Sequence, residues 1–453
     1  MIMKQSLLIL ITLGLMSCSG YLDVKPDIRM DVPNTLEDCE LLLNDYGNLN
    51  MTSPAATLIA GEEFYLNAEN WYSVTNLDDR NAYTWSDEQG VRGMGWQGPY
   101  RTIFLANQVL QVLEKLPRDE QNLSKYNDIL GKALFFRAFA YHQLAQLYCL
   151  TYDKNTAKNE LGLPLKQTPD LVMVNGRSSL EDTYQFILQD YTKASHLLSI
   201  TAQAKSLPNR TAAFAGLARV YLDMQLYDRS FQYADSAWRL QPRLMDFNVL
   251  DSNSESPIPK NNEEVIFSAL TPYSEALGSY YSRINPSLMN LYMQGDLRKK
   301  VFYRENQDEP GTFGYKANYE QTESGSFVGL TTGEVILIRA ESASRLNRQD
   351  IALKDLNMLF ASRFKNDENI KYIEDDPQKI LSMILAERRR ELVFRGRRWA
   401  DLKRLNKEPA HQTELQRTLD GKVYTLPAGS LGYAFLIPQA VIELNPTIQQ
   451  NKR

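Results

Sequence analysis

Residues 213–242 read AFAGLARVYLDMQLYDRSFQYADSAWRLQP. Phe214, Leu217, Ala218 and Tyr221 return at helical spacing and predict one apolar face of an α-helix. Tyr227 marks a turn. Ser230, Ala234 and Ala237 then place small side chains along a second helix, where two backbones must approach closely, and Pro242 stops it. The stretch therefore predicts two helices packed antiparallel.

The order of large residues, small residues and a closing proline resembles a tetratricopeptide repeat. Weaker copies lie on both sides. Upstream, Tyr126–Tyr148 predicts a long aromatic-rich helix. Ser178-Ser179-Leu180-Glu181 predicts another, opened by a Ser178–Glu181 capping box and running to about Leu198. Downstream, Glu334–Leu346 and Asp350–Arg363 form a further pair with Ala340 and Ala352 at the small positions. Pro377–Phe394 predicts the last helix. Strand-like alternation is scarce. The fold class is mainly α: a tetratricopeptide-like superhelix of helix pairs. Two stretches break the pattern, Met51–Gly98 and Met245–Gly333. Both lack sustained helical period yet are too aromatic for disorder, so they are expected as ordered, loop-rich excursions from the scaffold.

Composition excludes several classes. With 50 Lys plus Arg against 55 Asp plus Glu, the chain carries a net charge of −5, and a broad nucleic-acid surface is not expected. Three Cys cannot build a disulfide scaffold. Three His at scattered positions give no zinc spacing. Asp251-x-Asn253-x-Glu255 has Ser256 where a calcium loop needs Gly, so no metal site is assigned. No nucleophile elbow, P-loop or dinucleotide fingerprint is present, and neither catalytic residues nor a cofactor are expected.

The N-terminus, MIMKQSLLILITLGLMSC, has Lys4 ahead of a short apolar run, Leu7–Met16. That run is too short to span a bilayer and suits a secretory signal. Leu15-Met16-Ser17-Cys18 looks like a bacterial lipobox. Residues 1–17 are then a lipoprotein signal peptide, with Cys18 the site of lipid attachment. Cys39 and Cys149 remain, either paired or as two buried thiols.

Three segments together resemble the RagB/SusD family of outer-membrane nutrient-binding lipoproteins. The lipobox is followed by Tyr21-Leu22-Asp23 and Pro26. Arg137-Ala138, Tyr141, Leu144 and Tyr148 match the family's aromatic helix, with Leu163-Pro164-Leu165 after it. Glu387-Arg388-Arg389-Arg390-Glu391-Leu392, Gly396, Arg398-Trp399, Asp401-Leu402, Arg404, Ile437-Pro438, Asn445-Pro446 and Gln450-Asn451 match its C-terminal pattern. Arg395 stands where an acidic residue is common, and Arg397 where His is common. The resemblance implies a single SusD-like domain over 18–453, with an N-terminal part to about 240 and a C-terminal RagB/SusD part from about 245. It implies a surface-exposed lipoprotein anchored in the outer membrane. That protein would bind a nutrient oligomer, a glycan foremost, and pass it to a SusC-type TonB-dependent transporter. A peptide-binding member of the family and a lipid-anchored protein-interaction scaffold are the alternatives. Read without the family, Glu387–Arg404 predicts an intramolecular charge network rather than a nucleic-acid patch. Glu391 and Arg395 would pair at i,i+4, and Trp399 and Asp401 would take cation–π and bidentate contacts from arginines.

Of five Trp, three are expected in packing: Trp96 on a helical stripe with Tyr100, Ile103 and Asn107, Trp238 in the repeat, and Trp399 in the charge network. Trp71 and Trp85 stand in the first excursion beside Tyr72, Asn76, Asp78 and Arg80. Flat aromatics flanked by amide, carboxylate and guanidinium groups suit a sugar: the rings stack on its C–H face and the polar groups take its hydroxyls. The second excursion offers Tyr273, Tyr280, Tyr281, Arg283, Tyr315 and Tyr319, of which Tyr280 and Tyr281 are expected to form the opposite wall.

Overall fold

Asn209 opens the quoted hairpin by accepting the Ala212 N–H, and the first helix runs Arg210–Asp223. Gln225 turns the chain in the left-handed region (φ 59°), and Tyr227 is the first residue of the second helix, which ends at Leu240. The small positions do what their size predicts: Ser230 Oγ donates to the Ala218 carbonyl at 3.0 Å across the pair.

The structure is a computed structural model that describes residues 33–88, 93–170, 176–366 and 371–453. The signal segment and Cys18 lie outside the described residues. In chain order the helices are α1 (Leu36–Leu43), α2 (Tyr46–Leu49), α3 (Ala56–Ile59), α4 (Ala68–Ser73), α5 (Leu77–Tyr83), α6 (Met94–Leu113), α7 (Leu123–Tyr148), α8 (Leu180–Leu197), α9 (Arg210–Asp223), α10 (Tyr227–Leu240), α11 (Pro286–Met289), α12 (Arg298–Val301), α13 (Thr332–Arg345), α14 (Gln349–Ala361), α15 (Pro377–Glu391), α16 (Arg398–Leu405) and α17 (Gln439–Leu444). The strands are short: β1 (Phe64–Tyr65), β2 (Val265–Phe267), β3 (Arg283–Ile284), β4 (Tyr303–Glu305), β5 (Phe313–Tyr315), β6 (Leu330–Thr331), β7 (Leu415–Leu419) and β8 (Lys422–Leu426). They pair antiparallel in twos, β1 with β3, β2 with β6, β4 with β5 and β7 with β8.

The scaffold is mainly helical. α6 to α10 pack in sequence, α10 packs on α13, and α13 on α14 and α15. The apolar core runs through them, with a satellite around Trp399 and another around Ala340 and Ala352. Trp96 and Trp238 are buried as expected. Helices approach closely at Gly216, where an added Cβ would lie 2.6 Å from the buried Tyr191 ring of α8. Gly216→Ala should therefore destabilise by about 1–3 kcal/mol through overpacking, although alanine is the better helix former by about 1 kcal/mol. Denaturant midpoints check the sign.

Four expectations are corrected. The cap of α8 is Ser179, which accepts the Asp182 N–H at 2.9 Å, while Ser178 turns back to the Leu163 carbonyl. Met51–Gly98 is not all loop: α3, α4 and α5 form in it, too short to register as period. Glu391 and Arg395 do not pair, because α15 ends at Glu391 and Phe394 enters the left-handed region (φ 55°). Arg395 instead lies 3.3 Å over the Tyr319 ring. Trp399 packs on Tyr433 (4.8 Å) and Phe435 (5.7 Å) rather than under an arginine. Cys39 and Cys149 are free and buried.

The charge-rich C-terminal segment is an intramolecular network. Arg363 is fully buried and pairs with Glu264 (2.6 Å) and Glu391 (2.7 Å), and Arg298 pairs with Asp296 (2.8 Å), Glu387 (2.5 Å) and Glu391 (3.0 Å). Asp401 takes Arg388 and Arg404, and Arg404 also reaches Glu341. Burial pushes the Glu391 carboxyl up, but Arg363 and Arg298 outweigh it and hold it below the usual carboxylate range. Each of these arginines is spent on carboxylates of this chain.

Candidate functional site

The two excursions are sewn together. β1 pairs with β3 in the register Phe64↔Ile284. Asn70 Nδ2 donates to the Tyr281 carbonyl (2.9 Å), the Thr75 N–H to Glu275 (2.6 Å) and Ser274 Oγ to Asp79 (2.6 Å). Segments some 200 residues apart thus build one face.

Two cavities open on that face. The larger, about 560 Å³, is walled by Tyr273, Tyr280, Tyr281, Tyr315, Phe327 and Phe394. The smaller, about 280 Å³, is lined by Asn76, Asp78, Asn81, Glu88 and Tyr148, and Tyr273 borders both. Tyr273 is 59% exposed and Tyr280 77% exposed, so both rings offer surface outward. Tyr281 braces Tyr280 edge-on at 5.1 Å. Arg304 stands at the rim, held by Glu255 (2.5 Å) and Ser279 (2.9 Å). The polar groups behind the wall are engaged with backbone: Asn318 donates to the Thr322 and Gly325 carbonyls, and Lys316 to Ser252 and Ser254. They fix the wall's shape.

The floor is a stacked pair, Tyr315 on Phe394 (4.7 Å, 7°). Glu63 holds it by accepting the Phe394 N–H at 3.1 Å. Loss of water on burial pushes the Glu63 carboxyl up to about 8, against that hydrogen bond and the charges of Arg398 and Arg389. Folding therefore favours its neutral form. The stability this contributes is complete below the unfolded value of 4.5 and is lost as pH rises through about 8. Glu63→Gln keeps an acceptor for Phe394 and cannot ionise. It should melt higher than the wild type at pH 9, with a flatter profile between pH 6 and pH 9. Parallel profiles would show that Glu63 is charged in the fold.

The eight residues singled out in the sequence fall into four places. Tyr280 and Tyr281 line the larger cavity. Asn76 and Asp78 line the smaller, where Asn76 caps α5 and Asp78 accepts the Gly93 N–H at 3.1 Å. Trp71, Tyr72 and Arg80 form a separate stack: the Arg80 guanidinium lies 4.3 Å over Trp71, and Tyr72 meets Trp71 edge-on at 4.9 Å. Tyr72, 57% exposed, reaches Asp420 in the β7–β8 turn, whose hydrogen bond and charge raise the phenol's pKa. Trp85 is half-buried beside the Trp399 cluster, with its indole N–H on the Ala60 carbonyl (3.0 Å) and Arg417 over its ring (4.7 Å). Arg283 and Tyr319 are buried: Arg283 pairs with Asp308 and Glu309, and Tyr319 lies under Arg395. Phe394, Phe327 and Arg417 were not anticipated. For Arg417 the signal was present: Leu415-Gln-Arg-Thr-Leu419 alternates and is followed by Asp420-Gly421, a two-residue hairpin turn.

Residues 20–222 match a family described as starch-binding and associating with the outer membrane, and residues 315–453 match the SusD family. The chain belongs to the SusD/RagB family. It is 23% identical to SusD-like protein P38 of Formosa agariphila, covering 98% of this chain and 97% of that protein. Its fold is similar to that of a SusD superfamily protein from Bacteroides thetaiotaomicron (TM-score 0.74, 20% identity, 92% of this chain and 100% of that one). It is likewise similar to that of a SusD-like carbohydrate binding protein from Bacteroides vulgatus (TM-score 0.69, 18% identity, 92% and 98%). The matched family segments leave 223–314 between them, which is where Tyr273, Tyr280 and Tyr281 stand. Among the described residues no helix is long and apolar enough to cross a membrane.

Proposed function

We propose that this chain is a surface lipoprotein of the outer membrane that captures an oligosaccharide between its two excursions and passes it to a SusC-type TonB-dependent transporter. The observation that carries the reading is the pair of outward tyrosines, Tyr273 and Tyr280, set on a braced wall beside the 560 Å³ cavity. A sugar ring has an apolar C–H face and a hydroxyl edge. A tyrosine ring would take the first by stacking, and Arg304 at the rim of that cavity, with Asn76 and Asp78 in the smaller one, would take the second. Because the wall is held by backbone-bonded side chains, little ordering is required on binding. The family's starch-binding description and the carbohydrate-binding relative from Bacteroides vulgatus support a glycan over a peptide. The role is capture without bond cleavage. Residues 18–453 act as one domain, tethered by a lipid on Cys18.

Calorimetric titration of the lipid-free chain against oligosaccharides and peptides of matched length tests the ligand class. Binding of an oligosaccharide is expected. Binding of peptides alone would transfer the site to the peptide-binding reading. Failure of a β-barrel to co-purify from outer membranes would remove the transporter from the proposal.

A further inference from the structure

The first excursion leaves the scaffold at Gly61 and returns at Tyr83. In between lie β1, α4 and α5, and with them Trp71, Tyr72, Asn76, Asp78 and Arg80. Such a loop needs its two ends held, and the backbone carbonyls at those ends are buried. Their partner comes from the other end of the chain. Arg417 donates through Nη2 to the Ile59 carbonyl (2.8 Å) and the Gly61 carbonyl, and through Nη1 to the Tyr83 carbonyl. The intervening Ala60 carbonyl is taken by the Trp85 indole. One planar cation thus joins both feet of the loop.

Arg417 is suited to this. It sits at an inward position of β7, between buried Leu415 and Leu419, where an apolar residue would be expected from the alternation. Glu62 beside it is engaged by Arg398 (2.5 Å) and Arg389 (3.0 Å). The charge of Arg417 is met by carbonyl dipoles and by three rings, Tyr83 at 3.6 Å, Trp85 at 4.7 Å and Phe64 at 5.9 Å. A lysine could not reproduce this, since its ammonium lacks the planar fork that spans separated acceptors.

We propose that Arg417 is the positioning residue of the ligand face: it closes the 62–82 loop at its base and sets Asn76 and Asp78 against the tyrosine wall. Its link to ligand capture rests on the functional reading above, whereas its link to loop order does not. Arg417→Lys and Arg417→Gln test it by hydrogen exchange followed along the chain. Exchange over 62–83 should accelerate at least tenfold in both variants, with α7 to α10 unchanged. Affinity for the oligosaccharide that binds the wild type should fall about tenfold, and Lys should not rescue it. Wild-type exchange over 62–83 in Arg417→Lys would overturn the proposal, as would acceleration spread evenly over the scaffold. Should the loop loosen as expected while no oligosaccharide binds either protein, Arg417's positioning role stands and the glycan reading falls.

Discussion

Glu391→Ala is expected to cost the fold about 3–5 kcal/mol, because removing one partner from a buried pair strands the other. Here two arginines lose a partner, Arg298 and Arg363, and neither side chain is exposed to water. Arg298 retains Asp296 and Glu387, and Arg363 retains Glu264 and the Met245 carbonyl at 2.7 Å, so the loss stays finite. Against a typical stability of about 5–15 kcal/mol the effect is large. Chemical denaturation should place the variant's midpoint well below the wild type's. Lys125→Ala, which removes the exposed contacts to Glu37 and Glu40, should leave the midpoint in place. A similar shift in both would mean that the buried network contributes no more than a surface pair. The network also sets the acid limit. Glu391 and Asp401 are held below their ordinary range, so the stability they contribute is present above the unfolded carboxylate values and lost as pH falls through the folded ones. Glu63 acts in the opposite direction at the alkaline end.

The second large effect is on binding. Replacing Tyr273 and Tyr280 together by Ala should weaken oligosaccharide affinity about 10- to 100-fold. Two aromatic platforms at roughly 0.7–1.4 kcal/mol each sum to about 1.4–2.8 kcal/mol, and about 1.4 kcal/mol corresponds to a factor of ten. Both rings project outward, so the melting temperature should hardly move. Titration calorimetry with a thermal melt beside it separates the two readouts. Unchanged affinity would shift the site to the Trp71–Tyr72–Arg80 stack. Trp85→Ala offers the converse case: its ring packs near the Trp399 cluster and under Arg417, so it should lower the melting temperature.

The scaffold could be read from the sequence because its signals are local. Small residues at Ser230, Ala234 and Ala237 report helix contact wherever the chain goes next, and the Glu387–Arg404 charges come as mixed signs that can satisfy one another. The face between the two excursions was harder because its order is set by distant partners. Trp71 and Trp85 look alike in sequence, each an aromatic in a polar loop. Only the fold puts Arg80 on one and Arg417 on the other. Tyr280 and Tyr281 stand out by their Gly/Ser setting, yet the partner of Tyr281 across the face, Asn70, is 211 residues away. The short helices α3 to α5 escaped because one or two turns leave no period to count.

The loop base has a bearing on the order in which this molecule can be completed. The first excursion takes its fastenings from late in the chain: Glu62 from Arg398, Glu63 from Phe394, and the carbonyls at 59, 61 and 83 from Arg417. During synthesis and export the N-terminal segments emerge long before those residues do. Helix pairs such as α9 and α10 can close as soon as they appear, but the face between the excursions must wait for the last tenth of the polypeptide. A chain interrupted ahead of residue 417 would keep much of its helical scaffold while the base of the first excursion stayed open.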